Sequence, residues 1–455
     1  MCCTYCQKYK NCMNFLDAAI NRVRVLLSSL VSIKRHKIVA DGGIYVFFNI
    51  LNRALPFLLL PLITSYIDPV GFGIISVMAL VVAIFTPVLG LCCNTVLYQL
   101  YFRLTQEEVS QFVNDSYKII LFSTALAMAI AFVFSNSIKA STGLDLVWFE
   151  FGLLSAGMGM ITTITTTLFL IRKQARNYGL FQFCSILVNL CLTLVFLVAL
   201  DLSWKGRIYA ITATALLTAI IAAYVNMKQE DFRLPDFGRA TQVKSIFRLG
   251  SALVPNAIGG FMILMVDRLM LTALTTLETL GIYAIGVMVA QMTDVVLAAF
   301  SRTAQPYLYA NAVNSTARKD VLSIRIFYGF IVFSFFMAGL VTILAPYVFR
   351  FMIDERYHLA VEMVGWLSLS SAFFNIGSLF LNLILIAEKN WLTGYISGIC
   401  VISGVAVSYL FITAYGGQGA AMANATTGLL FMLLMVFFGV KHTKLPWLSR
   451  SIMRG

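Results

Sequence analysis

Asp267 and Arg268 stand side by side in an otherwise apolar stretch, Ser251 to Leu274, and no other charge falls between Arg248 and Glu278. A charged side chain at the centre of a lipid-facing helix costs roughly 2.5–3.5 kcal/mol. Such a residue is retained where it faces protein or a water-filled cavity, and it marks a functional site by default. Arg53 poses the same question among Asn49, Asn52, Pro56 and Pro61. Asn49 and Arg53 are four apart and share a helix face, and the two prolines free backbone groups that polar neighbours or water must satisfy. A third polar series runs Gln291, Thr293, Asp294 and then Arg302, followed by Gln305 and Pro306. Guanidinium groups offer planar, charge-assisted hydrogen bonds to anions; a secluded carboxylate can hold a proton or a small cation. The candidates for a cavity site are therefore Arg53, Arg268 and Arg302 with Asn49, Asn52 and Asn256. Asp267 and Asp294 are the candidate ion-coupling groups, for a proton or a sodium ion. Two readings stay open for the Asp267–Arg268 pair: a cavity lining, or the outer headgroups if its span ends early. Arg302 is open in the same way, between the cytoplasmic mouth and a lipid phosphate.

The elements that must position these groups are membrane helices. Of 455 residues, 60% are hydrophobic and 12% charged, half the charge of a typical soluble protein. Apolar stretches recur from Ile38 almost to the end, many exceeding the roughly 20 residues that span a bilayer. Twelve spans are predicted, near 38–66, 71–98, 112–135, 147–171, 178–200, 207–227, 248–274, 280–305, 322–347, 358–386, 390–413 and 417–440. With the amino terminus inside, 26 of the 33 lysines and arginines fall on the cytoplasmic side and 5 (Lys139, Lys205, Arg207, Arg350, Arg356) on the other. That bias places both termini in the cytoplasm. The net charge of +13 is thereby accounted for by orientation and anionic headgroups rather than by nucleic acid.

The chain repeats itself. Gly43 precedes Gly73 by 30 residues and Gly250 precedes Gly281 by 31; Asn177, Gly206 and Ala210 are spaced as Asn390, Gly419 and Ala423 are. The offset contains an even number of spans, so the halves enter the membrane in the same sense, related by an axis along the membrane normal. The expected organisation is an all-α polytopic protein of about 12 helices in two six-helix lobes around a central cavity. Residues 38–228 form the first lobe, 229–247 a cytoplasmic linker, 248–441 the second lobe and 442–455 a cytoplasmic tail. Residues 1–37 read as a basic amphipathic extension on the membrane surface; translation can start at Met1 or Met13.

Catalytic constellations are missing. His36, His358 and His442 fall in loop or tail positions, no Walker-type glycine loop is present, and no long outer loop can house a transferase site. Of nine cysteines, Cys2, Cys3, Cys6 and Cys12 crowd the amino terminus without the partners of a finger-like metal site. Cys92, Cys93, Cys184, Cys191 and Cys400 are expected to serve as small buried hydrophobes. We expect no enzyme, no metal and no cofactor beyond a coupling ion.

Three segments carry a family resemblance. GGIYVFFNILNRALPFLLLPLITSYIDPVGFGIISV (Gly42 to Val77), VDRLMLTALTTLETLGIYAIG (Val266 to Gly286) and GGQGAAMANA (Gly416 to Ala425) resemble the polysaccharide flippases of the Wzx type, within the multidrug/oligosaccharidyl-lipid/polysaccharide exporter superfamily. The resemblance spans residues 38 to 441. It implies a non-enzymatic flippase moving undecaprenyl-pyrophosphate-linked oligosaccharide, such as an O-antigen unit of lipopolysaccharide, across a bacterial inner membrane. Arg53 and Arg268 would hold the pyrophosphate, with Arg302 on the entry side. Membrane lipid, a glycan polymerase and assembly proteins are the implied partners. The alternatives are a cation-coupled drug or metabolite antiporter of the same superfamily, a membrane enzyme and a non-transporting scaffold. An antiporter would have acids dominating its interior, whereas two deep arginines, Arg53 and Arg268, stand against Asp267.

Overall fold

The computed structural model describes residues 59–229, 242–313, 317–387 and 389–443, with Phe57 and Trp447. Thirteen α-helices account for almost all of them. They are α1 (Leu60–Tyr66), α2 (Pro69–Leu89), α3 (Cys93–Leu100), α4 (Gln106–Val133), α5 (Ser135–Thr142), α6 (Leu146–Ile171) and α7 (Ala175–Leu194). Then come α8 (Ser203–Lys228), α9 (Val243–Leu274), α10 (Leu277–Val313), α11 (Ala317–Met352), α12 (Val361–Ile386) and α13 (Asn390–Lys441). A π-helical turn, Val195–Ala199, ends α7, and a 3-10 turn, Glu355–Ala360, leads into α12.

The helix ends are written locally. Asp68 caps α2, its carboxylate accepting from the Gly71 amide at 3.2 Å, and Pro69 fills the first position, where no amide is needed. Thr105 and Glu108 form a reciprocal capping box at the start of α4. Gly143 closes α5 at φ +70°, a conformation that glycine adopts without strain.

Ten of these helices, among the described residues, are long and apolar enough to cross a membrane. Gly416, at φ 57° and ψ −131°, breaks α13 into the two spans predicted there. Of the first predicted span only the last turns, α1, lie within the described residues. The expectation of an all-α polytopic protein with about twelve spans is therefore met.

Two ends of the bundle can be told apart. At the Asp68 end lie the starts of α2, α6, α8, α10 and α12; at the Arg103 end lie the starts of α4, α7, α9, α11 and α13. Each half has its own core. In the first, Phe112, Ile120, Ile164 and Ala222 pack together; in the second, Phe327, Ile376, Phe380 and Ile396 do so. A third cluster, with Leu60, Phe72, Leu280, Tyr283 and Tyr357, draws on both halves and closes the Asp68 end between them. Helix α6 is the buried axis of the first half and α7 its most lipid-exposed helix: 72% and 17% of their central residues are buried. Cys92, Cys93 and Cys400 are buried as small hydrophobes, whereas Cys184 and Cys191 are exposed on α7. The apolar setting that suggested burial for them is lipid.

Helix α9 starts at Val243, five residues before the predicted span. Its first turns belong to the other half: Ile246 is fully buried in that half's core, and Asp115 of α4 accepts the Gln242 amide at 2.9 Å. Past Pro255, Gly259 and Gly260, the same helix carries Ile263 into the core of the second half.

Candidate functional site

The interior charges of the second half converge on one cavity of about 230 Å³. Helix α9 contributes Asp267 and Arg268, α10 Gln291 and Asp294, α12 Ser370 and Ser371, and α13 Asn424. Four helices of one half therefore build it. Gln291 and Asp294, three apart, lie on the same face of α10, as do Ser371 and Asn375 on α12.

Asp267 is 2% exposed. Its Oδ2 accepts a hydrogen bond from the Tyr283 hydroxyl and another from Asn424 Nδ2 at 2.9 Å. Ser370 fixes that asparagine by donating to its backbone carbonyl at 3.0 Å and to its side-chain oxygen. Asp267 Oδ1 is buried with no hydrogen-bond partner among the described residues, and so is Arg268 Nε. Asp294 accepts from Ser371 Oγ at 3.1 Å and from Asn375 Nδ2 at 2.7 Å. It lies eleven residues beyond Tyr283, roughly 16 Å along the α10 axis at 1.5 Å per residue. The two carboxylates thus mark different depths of one cavity, and Arg268 shares it with them.

An orphan carboxylate oxygen in a low-dielectric site is costly. A cavity wide enough for water or a small cation gives that oxygen a ligand, so the arrangement suits a cation or a proton. The guanidinium of Arg268, next to Asp267 in the chain and lining the same cavity, lowers the total negative charge there.

The structure therefore brings together Asp267, Arg268 and Asp294 from the residues singled out by sequence. It places Arg302 elsewhere, exposed on α10 eight residues past Asp294 and roughly 12 Å nearer the Arg103 end. Arg53, Asn49 and Asn52 lie outside the described residues, and so does the side chain of Asn256. Helix α9 continues to Leu274, the end predicted for this span, and Asp267 is enclosed by protein. Tyr283, Ser370, Ser371, Asn375 and Asn424 escaped sequence reasoning as site residues. Each is a small or neutral polar group on a largely apolar helix, a pattern that threonines and serines bonding their own backbone also produce, as Thr163 and Thr167 do.

A bundle of this kind, two packed halves of membrane-length apolar helices with a charged cavity inside one of them, defines a multi-pass membrane protein. Solved structures agree on the fold. The lipid II flippase MurJ in an inward closed conformation matches with a TM-score of 0.69 at 12% identity, covering 87% of both chains. An inward-facing multidrug resistance MATE family transporter of the MOP superfamily matches at 0.63 and 13% identity, over 91% of this chain and all of that one. An outward-facing one matches at 0.54. A curated Haemophilus influenzae relative described as an uncharacterized membrane protein is 23% identical over 275 residues, 60% of this chain and 65% of its own length. The polysaccharide biosynthesis protein family model matches residues 38–311, more than half of the chain; the chain belongs to that family.

Proposed function

We propose that this protein flips an undecaprenyl-pyrophosphate-linked oligosaccharide across the bacterial inner membrane by alternating access, driven by a cation or proton taken at the Asp267–Asp294 cavity. Family membership supports the glycan side of this reading. The observation that carries the coupling side is the buried Oδ1 of Asp267, without a hydrogen-bond partner among the described residues, beside Arg268 in a cavity that also holds Asp294. The Arg103 end is the cytoplasmic one in this reading, by the distribution of lysine and arginine. The lipid tail stays in the bilayer while the anionic head enters between the halves, and Arg53 and Arg268 are the arginines assigned to its pyrophosphate.

The antiporter reading has one observation in its favour. Among the described residues of this cavity acids outnumber arginine, because Asp294 joins Asp267. Both readings share the coupling site and differ in cargo.

The test is glycan export in a strain deleted for its own O-unit flippase and supplied with this gene and its cognate sugar pathway. Restored surface polysaccharide supports the flippase. Lipid-linked units accumulating on the cytoplasmic leaflet, with the protein present in the membrane, transfer the case to the antiporter.

A further inference from the structure

Arg207 is not part of the coupling cavity. It sits in the second turn of α8, close to the Asp68 end, and counts by sequence as an ordinary end charge. Side chains on a helix lean toward its amino terminus, so an arginine there is expected to reach for the headgroups. Instead its Nη1 donates to Asn189 Oδ1 at 2.9 Å and to the Thr193 hydroxyl, both on α7. Asn189 lies ten residues before the end of the π turn, so the guanidinium points into the membrane. Asn189 is fixed from its other side by donating to Thr214 at 3.1 Å, and Thr193 is fully buried.

The backbone is shaped to allow this. A Cβ at Gly206 would stand 2.7 Å from the Phe196 carbonyl oxygen, so α8 begins in direct contact with the π turn of α7. Such π turns are frequent at functional positions. Both acceptors are neutral, and no ion pair among the described residues reaches Arg207. Its Nε and Nη2 donate to no acceptor among the described residues. The flank beside it is lipid-facing: Leu194, Val195 and Val198 are exposed on α7.

We propose that Arg207, held by Asn189 and Thr193, binds the phosphate of an anionic lipid between α7 and α8 at the Asp68 end. The Nε–Nη2 edge offers two parallel N–H groups, the fork that a phosphate takes bidentately, and the apolar flank accommodates acyl or prenyl chain. The inference is independent of the cargo assigned above. A bilayer phospholipid and a polyprenyl phosphate present the same chemistry.

Native mass spectrometry of the full chain, titrated in detergent with phosphatidylglycerol, undecaprenyl phosphate, phosphate-free digalactosyl diacylglycerol or inorganic phosphate, tests it. We expect the phosphate-bearing lipids to be retained and the glycolipid not. Retention of phosphatidylglycerol identifies a bilayer lipid, and retention of undecaprenyl phosphate alone identifies a carrier; displacement by inorganic phosphate shows that the headgroup suffices. Arg207→Gln should weaken retention about five-fold, the effect of one basic residue near a charged lipid. Asn189→Asp supplies an internal counter-charge, so it should abolish retention in a protein that still folds. Equal retention of the glycolipid, or retention unchanged in Asn189→Asp, overturns the proposal.

Discussion

Gly73 and Gly281 face each other across the two halves in a reciprocal contact. A Cβ on Gly73 would collide with the carbonyl of Leu277, and one on Gly281 with the carbonyl of Pro69. Each glycine thus presses on the residue four before the other, so the crossing of α2 and α10 has local two-fold symmetry. Backbones approach this closely only where side chains are missing, and this contact seals the Asp68 end.

Replacing Gly281 with valine should prise that end open. Overpacking of this kind costs about 1–3 kcal/mol, and separating the halves relieves it. We expect a cysteine placed at Ser65 to be labelled several-fold faster by an impermeant maleimide, and transport to fall. Unchanged labelling in a well-folded variant would remove the contact from any role in closure.

The Asp354–Arg356 pair supports the same seal. Arg356 donates to Asp354 at 2.8 Å and to the backbone carbonyls of Thr64 and Ser65 at 3.1 and 3.2 Å. That hydrogen bond holds the Asp354 carboxyl below its usual range. A carboxyl depressed in the folded state contributes above its unfolded pKa and loses that contribution as pH falls through the folded value. Spin labels at Ser65 and Glu355 should keep their separation from pH 7 down to about 4, the ordinary carboxylate range, and drift apart only below it. A transition centred near pH 6 would assign closure to another group.

If the Asp267–Asp294 cavity takes the coupling ion as proposed, Asp267→Asn and Asp294→Asn should each reduce transport about ten-fold or more. Tyr283→Phe removes one donor from Asp267 and should lower stability by about 1–1.5 kcal/mol while shifting the pH dependence of transport. Proteoliposome uptake with and without a sodium or proton gradient separates the effects. Full gradient-driven transport by both carboxamide variants would remove the cavity from coupling.

Asp115 is 1% exposed and serves two partners, the Gln242 amide and Lys118 at 3.3 Å. Asp115→Ala leaves the start of α9 uncapped, which should cost about 0.5–2 kcal/mol. Thermal unfolding of the detergent-solubilised protein reads this directly, and a melting temperature equal to the parent's would show that the cap is idle.

Hydropathy and the charge distribution made the helical spans legible, because apolar length is dictated by the bilayer itself. Asp267, Arg268 and Asp294 were legible for the same reason, as charges where charge is costly. Their convergence was not. It depends on which faces α10 and α12 turn to α9, and nearly uniform apolar composition erases the amphipathic stripe that shows facing in a soluble helix. The first turns of α9 illustrate the limit: Ile246 and Leu249 look like any lipid-facing pair, yet they pack against the opposite half.

Helix α9 is consequently shared property. Its first turns are fastened to Asp115, and its last turns carry the aspartate of the coupling cavity. Between them Pro255 removes a backbone hydrogen bond, and Cβ atoms at Gly259 and Gly260 would meet nothing within 4 Å. One rod thus joins the frame of reference of one half to the chemistry of the other. Any tilt of one half against the other therefore acts on the same helix that carries Asp267.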